Sequence, residues 1–179
     1  MLLFARSFAT AVAASVLLGA CASPPRPPMP TVAQVDLQRF MGDWYVIASI
    51  PTFLEKGAHN AVESYALDAD GSIATTFTFR KGAFDGPQKT YKPRGFVVEG
   101  TGNAIWGMRF VWPIKADYRI VYLDEAYSQT VIARDQRDYV WIMARTPSIP
   151  EADYQRIQEQ LRGWGYDPAL LERVPQRWD

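Results

Sequence analysis

Cysteine occurs once in this chain, at Cys21, and histidine once, at His59. That scarcity excludes most familiar site chemistry, because a zinc cluster or a Cys/His dyad needs side chains the chain lacks. No intrachain disulfide can form from a single thiol. Neither a G-x-G-x-x-G nor a G-x-x-x-x-G-K-[ST] phosphate loop is present. Nor is there an excess of one charge: 19 Lys plus Arg stand against 19 Asp plus Glu, with no basic run, so nucleic acid is not an expected partner. No metal and no cofactor is expected either. His59, in the stretch K-G-A-H-N-A, reads as a solvated imidazole on a loop.

What is present begins with an export signal over residues 1–20. Arg6 supplies the positive charge, 8–18 is almost wholly apolar, and Gly19 and Ala20 precede Cys21. The run is too short to span a bilayer. Leu18-Gly19-Ala20-Cys21 resembles the bacterial lipobox, which implies cleavage before Cys21 and acylation of its sulfur. A general secretory signal with an incidental cysteine is the alternative. Ala22, where no aspartate stands, resembles lipoproteins forwarded to the outer membrane. Residues 21–34 are then the lipidated cysteine and a proline-rich, extended tether, and the folded domain covers 35–179.

About 145 residues suffice for one domain with one core. Alternation of apolar and polar residues marks strands at 40–50, 61–68, 73–79, 90–99, 104–112, 117–123, 128–133 and 139–145. Short turns join them, so the expected fold is all-β: an eight-stranded up-and-down antiparallel barrel, with a sandwich as the alternative. The last strand is apolar on both sides and needs an outer cover. Ser148-Ile149-Pro150-Glu151 reads as a capping box, followed by Tyr154, Ile157, Leu161 and Trp164 at helical spacing, so a C-terminal helix can provide that cover.

Three segments carry a family resemblance. G-D-W-Y-V-I-A at 42–48 resembles the lipocalin G-x-W motif, A-D-Y-R-I-V-Y-L-D at 116–124 the T-D-Y segment with alanine for threonine, and D-Y-V-W-I-M-A-R-T-P-S-I at 138–149 the third segment with its arginine. The likeness covers 40 to about 165 and leans to the bacterial outer-membrane and apolipoprotein D-like branch. Gly42 permits tight entry into the first strand, while Trp44 and Arg145 share a parity that seals the closed end of the barrel. Arg145 over the indole is worth about 0.5–2 kcal/mol.

The resemblance implies a non-enzymatic carrier, anchored in the outer membrane through acylated Cys21 and facing the periplasm, that stores or transports a fatty acid or lysophospholipid. A homodimer is left open. By strand parity the ligand-binding residues are Val46, Tyr65, Phe77, Phe79, Phe96, Met108, Phe110, Trp112, Ile120, Tyr122, Trp141 and Met143. Two other classes stay open: an enzyme on the same barrel, using Glu63 or Glu99 if turned inward, and a structural envelope lipoprotein whose barrel is filled.

Overall fold

The computed structural model describes residues 26–178. Strands β1 (Gly42–Ile50), β2 (Ala58–Leu67), β3 (Ile73–Lys81), β4 (Gln88–Tyr91), β5 (Arg94–Val97), β6 (Ile105–Val111), β7 (Ile114–Leu123), β8 (Gln129–Ala133) and β9 (Val140–Ala144) follow in order. Every pairing is antiparallel, and β9 returns to β1, from Tyr45 opposite Ala144 to Ile50 opposite Val140. This β9–β1 pairing closes the sheet on itself, while β4 is paired on one side only, with β3. β4 and β5 both pair with β3 and are halves of one wall strand, broken at Pro93, which has no N–H for a ladder. The fold is therefore a closed eight-stranded up-and-down barrel.

One end of the barrel is solid. Helix α1 (Leu37–Phe40), whose first turn is capped by the Asp36 carboxylate, places Phe40 beneath the barrel. Phe40 packs on Trp44 (ring centroids 5.0 Å apart) and edge-on to Trp106 (5.4 Å), and Trp106 stacks on Tyr118 at 4.8 Å. Beneath Trp44 lies Arg145, its guanidinium 3.8 Å from the ring centroid. Its Nη2 donates to the carbonyls of Arg39, Phe40 and Met41, its Nη1 to Asp43 and its Nε to Tyr127. Gly42, at φ +92°, brings the chain so close that a Cβ would stand 3.4 Å from Arg145 Nη1.

Two additions cover the outside. Helix α2 (Glu151–Gly163) buries Tyr154, Ile157 and Leu161 against Val131, Val140, Ile142 and Ala144, the outward side of β8 and β9. Its start corrects the expected capping box: the N-cap is Pro150, which has no side-chain acceptor, and Ser148 lies too early to reach the first turn. The second cover is the C-terminal segment. Above Tyr45, β1 and β2 part company, because both are irregular there (β1 between Val46 and Ala48, β2 between His59 and Val62). The two-residue strand β10 (Glu172–Arg173) pairs with β1 in the gap, Val174 N–H donates to Ile47, and Gln176 Nε2 donates to both Val46 and Ala61.

The N-terminal stretch also differs from the tether expected over 21–34. Cys21 lies outside the described residues, but from Pro27 onward the chain rests on the barrel. Arg137 donates to the Pro27 carbonyl, Met29 N–H donates to Asp135, Val32 N–H to Ile120 and Val35 N–H to Gly102. Prolines interrupt this stretch without preventing docking, since the N–H groups of Met29, Val32 and Val35 find partners on the barrel. His59, expected on a loop, belongs to β2 and meets Phe84 edge-on at 4.9 Å.

Arg145→Ala should lower unfolding stability by about 1–3 kcal/mol, because it removes the cation over Trp44 and strips donors from carbonyls at the barrel base. Urea midpoints at unchanged slope check this, and a midpoint equal to wild type would contradict the bracing role.

Candidate ligand-binding cavity

Above the aromatic floor the barrel holds a cavity of about 210 Å³. A single water needs about 10–15 Å³ on the same measure, so the space suits a slender molecule. Phe77, Tyr91, Met108, Ala116, Tyr118 and Trp141 wall it, and Phe53, Leu54 and Phe110 stand at its opening. The opening lies among the β1–β2, β3–β4, β6–β7 and β8–β9 turns, opposite the end sealed by Arg145. Strand alternation supplies these walls: Ile73, Thr75, Phe77 and Phe79 are the buried positions of β3, while the residues between them face outward.

The cavity floor is polar in one place. Glu63 on β2 faces inward opposite Phe77 of β3 and Trp44 of β1. Tyr65 donates its hydroxyl proton to Glu63 and lies 2.7 Å from the Tyr118 hydroxyl, so the three form a chain. Burial away from water, helped by the charge of Glu55, pushes the Glu63 carboxyl up to about 8. Glu55, near the opening, is likewise raised by burial, while the N–H groups of Thr52 and Trp141, at 3.0 and 3.3 Å, pull the other way. Thr75, 3% exposed, lines the same floor with a hydroxyl that has no partner. Asp117 and Arg134 touch the cavity but are engaged elsewhere, Asp117 by Arg119 at 2.9 Å and Arg134 by Asp138 at 3.2 Å.

The residues expected to bind ligand fall into four groups. Phe77, Met108 and Trp141 line the cavity, and Val46, Tyr65, Phe79, Ile120 and Met143 are buried in the barrel core around or below it. Phe110 reaches the opening but is 57% exposed, and Trp112 is 77% exposed, because the β6–β7 hairpin outruns the barrel and no opposite wall encloses its tip. Phe96 and Tyr122 are corrections. Gly95, not Phe96, faces the interior: a Cβ there would meet Met108 Sδ at 3.0 Å. Phe96 instead lies outside beneath Arg109 (4.5 Å) and Lys115 (4.4 Å), because the inward phase of this wall strand is Tyr91, Pro93 and Gly95, which face Phe77, Thr75 and Ile73 of β3 in unbroken register across Pro93. Tyr122 lies outside against Arg156 of α2, because β7 bulges between Ile120 and Tyr122 and the alternation flips. Of the two carboxylates that parity left open, Glu63 is inside and Glu99 is exposed in the β5–β6 turn.

The raised Glu63 makes stability pH-dependent with a definite sign. Between about 4.5, the ordinary value, and about 8, the folded chain binds a proton the unfolded chain has released, so stability falls as pH rises across that window. The fall should reach up to about 4 kcal/mol, and Glu63→Gln should flatten it and be the more stable protein at pH 9. Denaturant midpoints at pH 5, 7 and 9 test this. A wild-type curve no steeper than that of Glu63→Gln would show that the carboxyl is not held neutral.

Comparison with known proteins agrees with this architecture. Residues 35–176 match the family model described as lipocalin-like domain. The outer membrane lipoprotein Blc of Citrobacter freundii is 31% identical over 169 residues, covering 93% of this chain and 94% of that protein. Temperature-induced lipocalin-1 of Arabidopsis thaliana is 29% identical over 160 residues, 83% of each. Among solved structures, insecticyanin of the tobacco hornworm Manduca sexta superposes with a TM-score of 0.66 at 13% identity over 87% of both chains, a likeness of fold alone. With a matched domain that spans nearly the whole barrel and its covers, the chain belongs to the lipocalin family.

Proposed function

We propose that this chain is a lipid-anchored carrier that takes the apolar tail of a single-chain amphiphile, a fatty acid or lysophospholipid, into the barrel. The observation that supports it best is the cavity: narrow, walled by aromatic and thioether side chains, and open at one end only. A pocket of this kind gains affinity from buried methylenes and uses few polar groups for orientation. The interior carries the acids Glu63 and Glu55, and Arg134, which touches it, is paired with Asp138, so an anionic head group belongs at the opening, near Lys56 and Lys81 on the β1–β2 turn and the end of β3. The relatives named outer membrane lipoprotein support placement in the outer membrane through acylated Cys21, with 1–20 removed as signal.

A filled structural barrel does not fit an interior that holds a cavity. An enzymatic reading has one supporting observation, the inward Glu63, but its partners are tyrosine hydroxyls already engaged with it and with each other. Product formation from a bound lipid would be needed to favour it.

Titration with a sixteen-carbon lysophospholipid below its micelle concentration should change tryptophan emission saturably at one ligand per barrel, and Trp141→Phe should remove most of the change. Shortening the chain to eight carbons, with half the lost methylenes buried, should cost about 3 kcal/mol, or about 200-fold in affinity. Ala116→Trp, which fills the cavity from β7, should abolish the titration while the circular dichroism spectrum stays β-rich. Saturable binding that survives Ala116→Trp would place the ligand elsewhere. For the anchor, metabolic palmitate labelling should mark wild type and not Cys21→Ser, and equal labelling would contradict acylation at that thiol.

A further inference from the structure

We propose that the rim of the barrel mouth is a bilayer-docking surface, which seats the open end of the barrel on the membrane. The β6–β7 hairpin tip reads Arg109-Phe110-Val111-Trp112-Pro113-Ile114-Lys115 and projects beyond the wall. Val111, Trp112 and Ile114 are 69%, 77% and 71% exposed, and Phe53, across the opening on the β1–β2 turn, is 80% exposed. Monomeric proteins scatter exposed apolar residues singly, whereas here they gather on one rim. Arg109 and Lys115 bracket the apolar tip, both leaning over Phe96 on the outer wall, where they would meet anionic lipid head groups as the tip enters the interface. Tryptophan at such a depth has its ring in the apolar layer and its N–H in the polar one.

The occupant is a lipid surface, and the route of the N-terminal chain says so independently of the rim. Pro27 and Met29 are held by Arg137 and Asp135 of the β8–β9 turn, which belongs to the mouth end, and the chain then descends past Ile120 to Gly102 at the base. Cys21 is six residues before Pro27, a span of at most about 20 Å. An acyl anchor at Cys21 therefore holds the mouth, not the base, next to the membrane. This second argument rests on acylation of Cys21, as proposed above, whereas the rim stands without it. The acids on the mouth-side β8–β9 turn do not oppose an anionic surface, since Asp135 is shared by Arg119 and Arg137, and Asp138 is paired with Arg134. A lipid leaving the bilayer would then meet the cavity opening without crossing water.

The test uses the mature chain from residue 21 onward carrying Cys21→Ser, so that neither the apolar signal of 1–20 nor an acyl group attaches it, with vesicles of phosphatidylethanolamine and phosphatidylglycerol at three to one. It should float with the vesicles weakly and reversibly, more so at low salt, and vesicles with brominated acyl chains should quench its fluorescence. Adding Trp112→Phe should remove most of the quenching but keep flotation. Adding Val111→Ser, Trp112→Ser and Ile114→Ser, all at exposed positions outside the cavity lining, should cut association about tenfold or more. Absence of flotation overturns the proposal, as does flotation that the serine variants leave unchanged. Sedimentation as a dimer that those variants dissolve, without vesicle binding, would assign the rim to a second copy of the chain instead. Saturable lysophospholipid binding by the serine variants would show that the carrier reading stands whatever the rim does.

Discussion

A sheet that closes on itself still has two open ends, and in this protein the position of every other functional feature depends on how one of them is stopped. Arg145 does this with a single side chain. Its guanidinium lies flat on Trp44 and donates to five carbonyls drawn from the entry to β1, helix α1 and the β7–β8 turn. A planar, permanently charged group with five N–H donors can satisfy that many acceptors at once, and a lysine could not. Once the base is closed, the aromatic layer of Phe40, Trp44, Trp106 and Tyr118 has something to pack on, and the remaining volume must open at the other end.

Polarity inside the barrel follows the same axis. At the floor the hydroxyls of Tyr118 and Tyr65 and the carboxyl of Glu63 satisfy one another, so a group that would be costly to bury alone is kept neutral and bonded. Higher up, aromatic and thioether side chains present few polar atoms. At the rim the pattern inverts, with large apolar side chains in water. Base, cavity and rim thus form a gradient from satisfied polar groups, through an apolar wall, to unsatisfied apolar surface.

Much of this was legible in strand parity. Positions such as Phe77, Met108, Trp141 and Met143 alternate regularly and turn inward, and the doubly apolar β9 announced the helix that covers it. Parity failed where the backbone broke its own period and where nothing marked its phase. The bulge after Ile120 sends Tyr122 outside, and beyond Met108 the hairpin continues without a facing wall, leaving Trp112 in solvent. Phe96 is a different case: its strand keeps one register with β3 through Pro93, and the inward phase falls on Gly95, whose missing side chain gives no apolar signal. A bulge has no sequence signature of its own in these strands, so those reversals needed coordinates. The C-terminal plug was missed for another reason: residues 172–176 have neither helical nor strand periodicity, and their value lies in single bonds from Val174 and Gln176 into the gap between β1 and β2. Glu63 was noticed only as a carboxylate that would matter if it turned inward, and its inward parity with Tyr65 was the available signal.

The central claim is that the cavity holds one single-chain amphiphile. Native mass spectrometry of the protein isolated from its own envelope in mild detergent tests it most directly, since it weighs the barrel together with whatever occupies it. The account predicts one added mass per barrel, matching a fatty acid or lysophospholipid and lost in Ala116→Trp. A barrel that emerges empty from wild-type membranes, or with an added mass that Ala116→Trp retains, would contradict it.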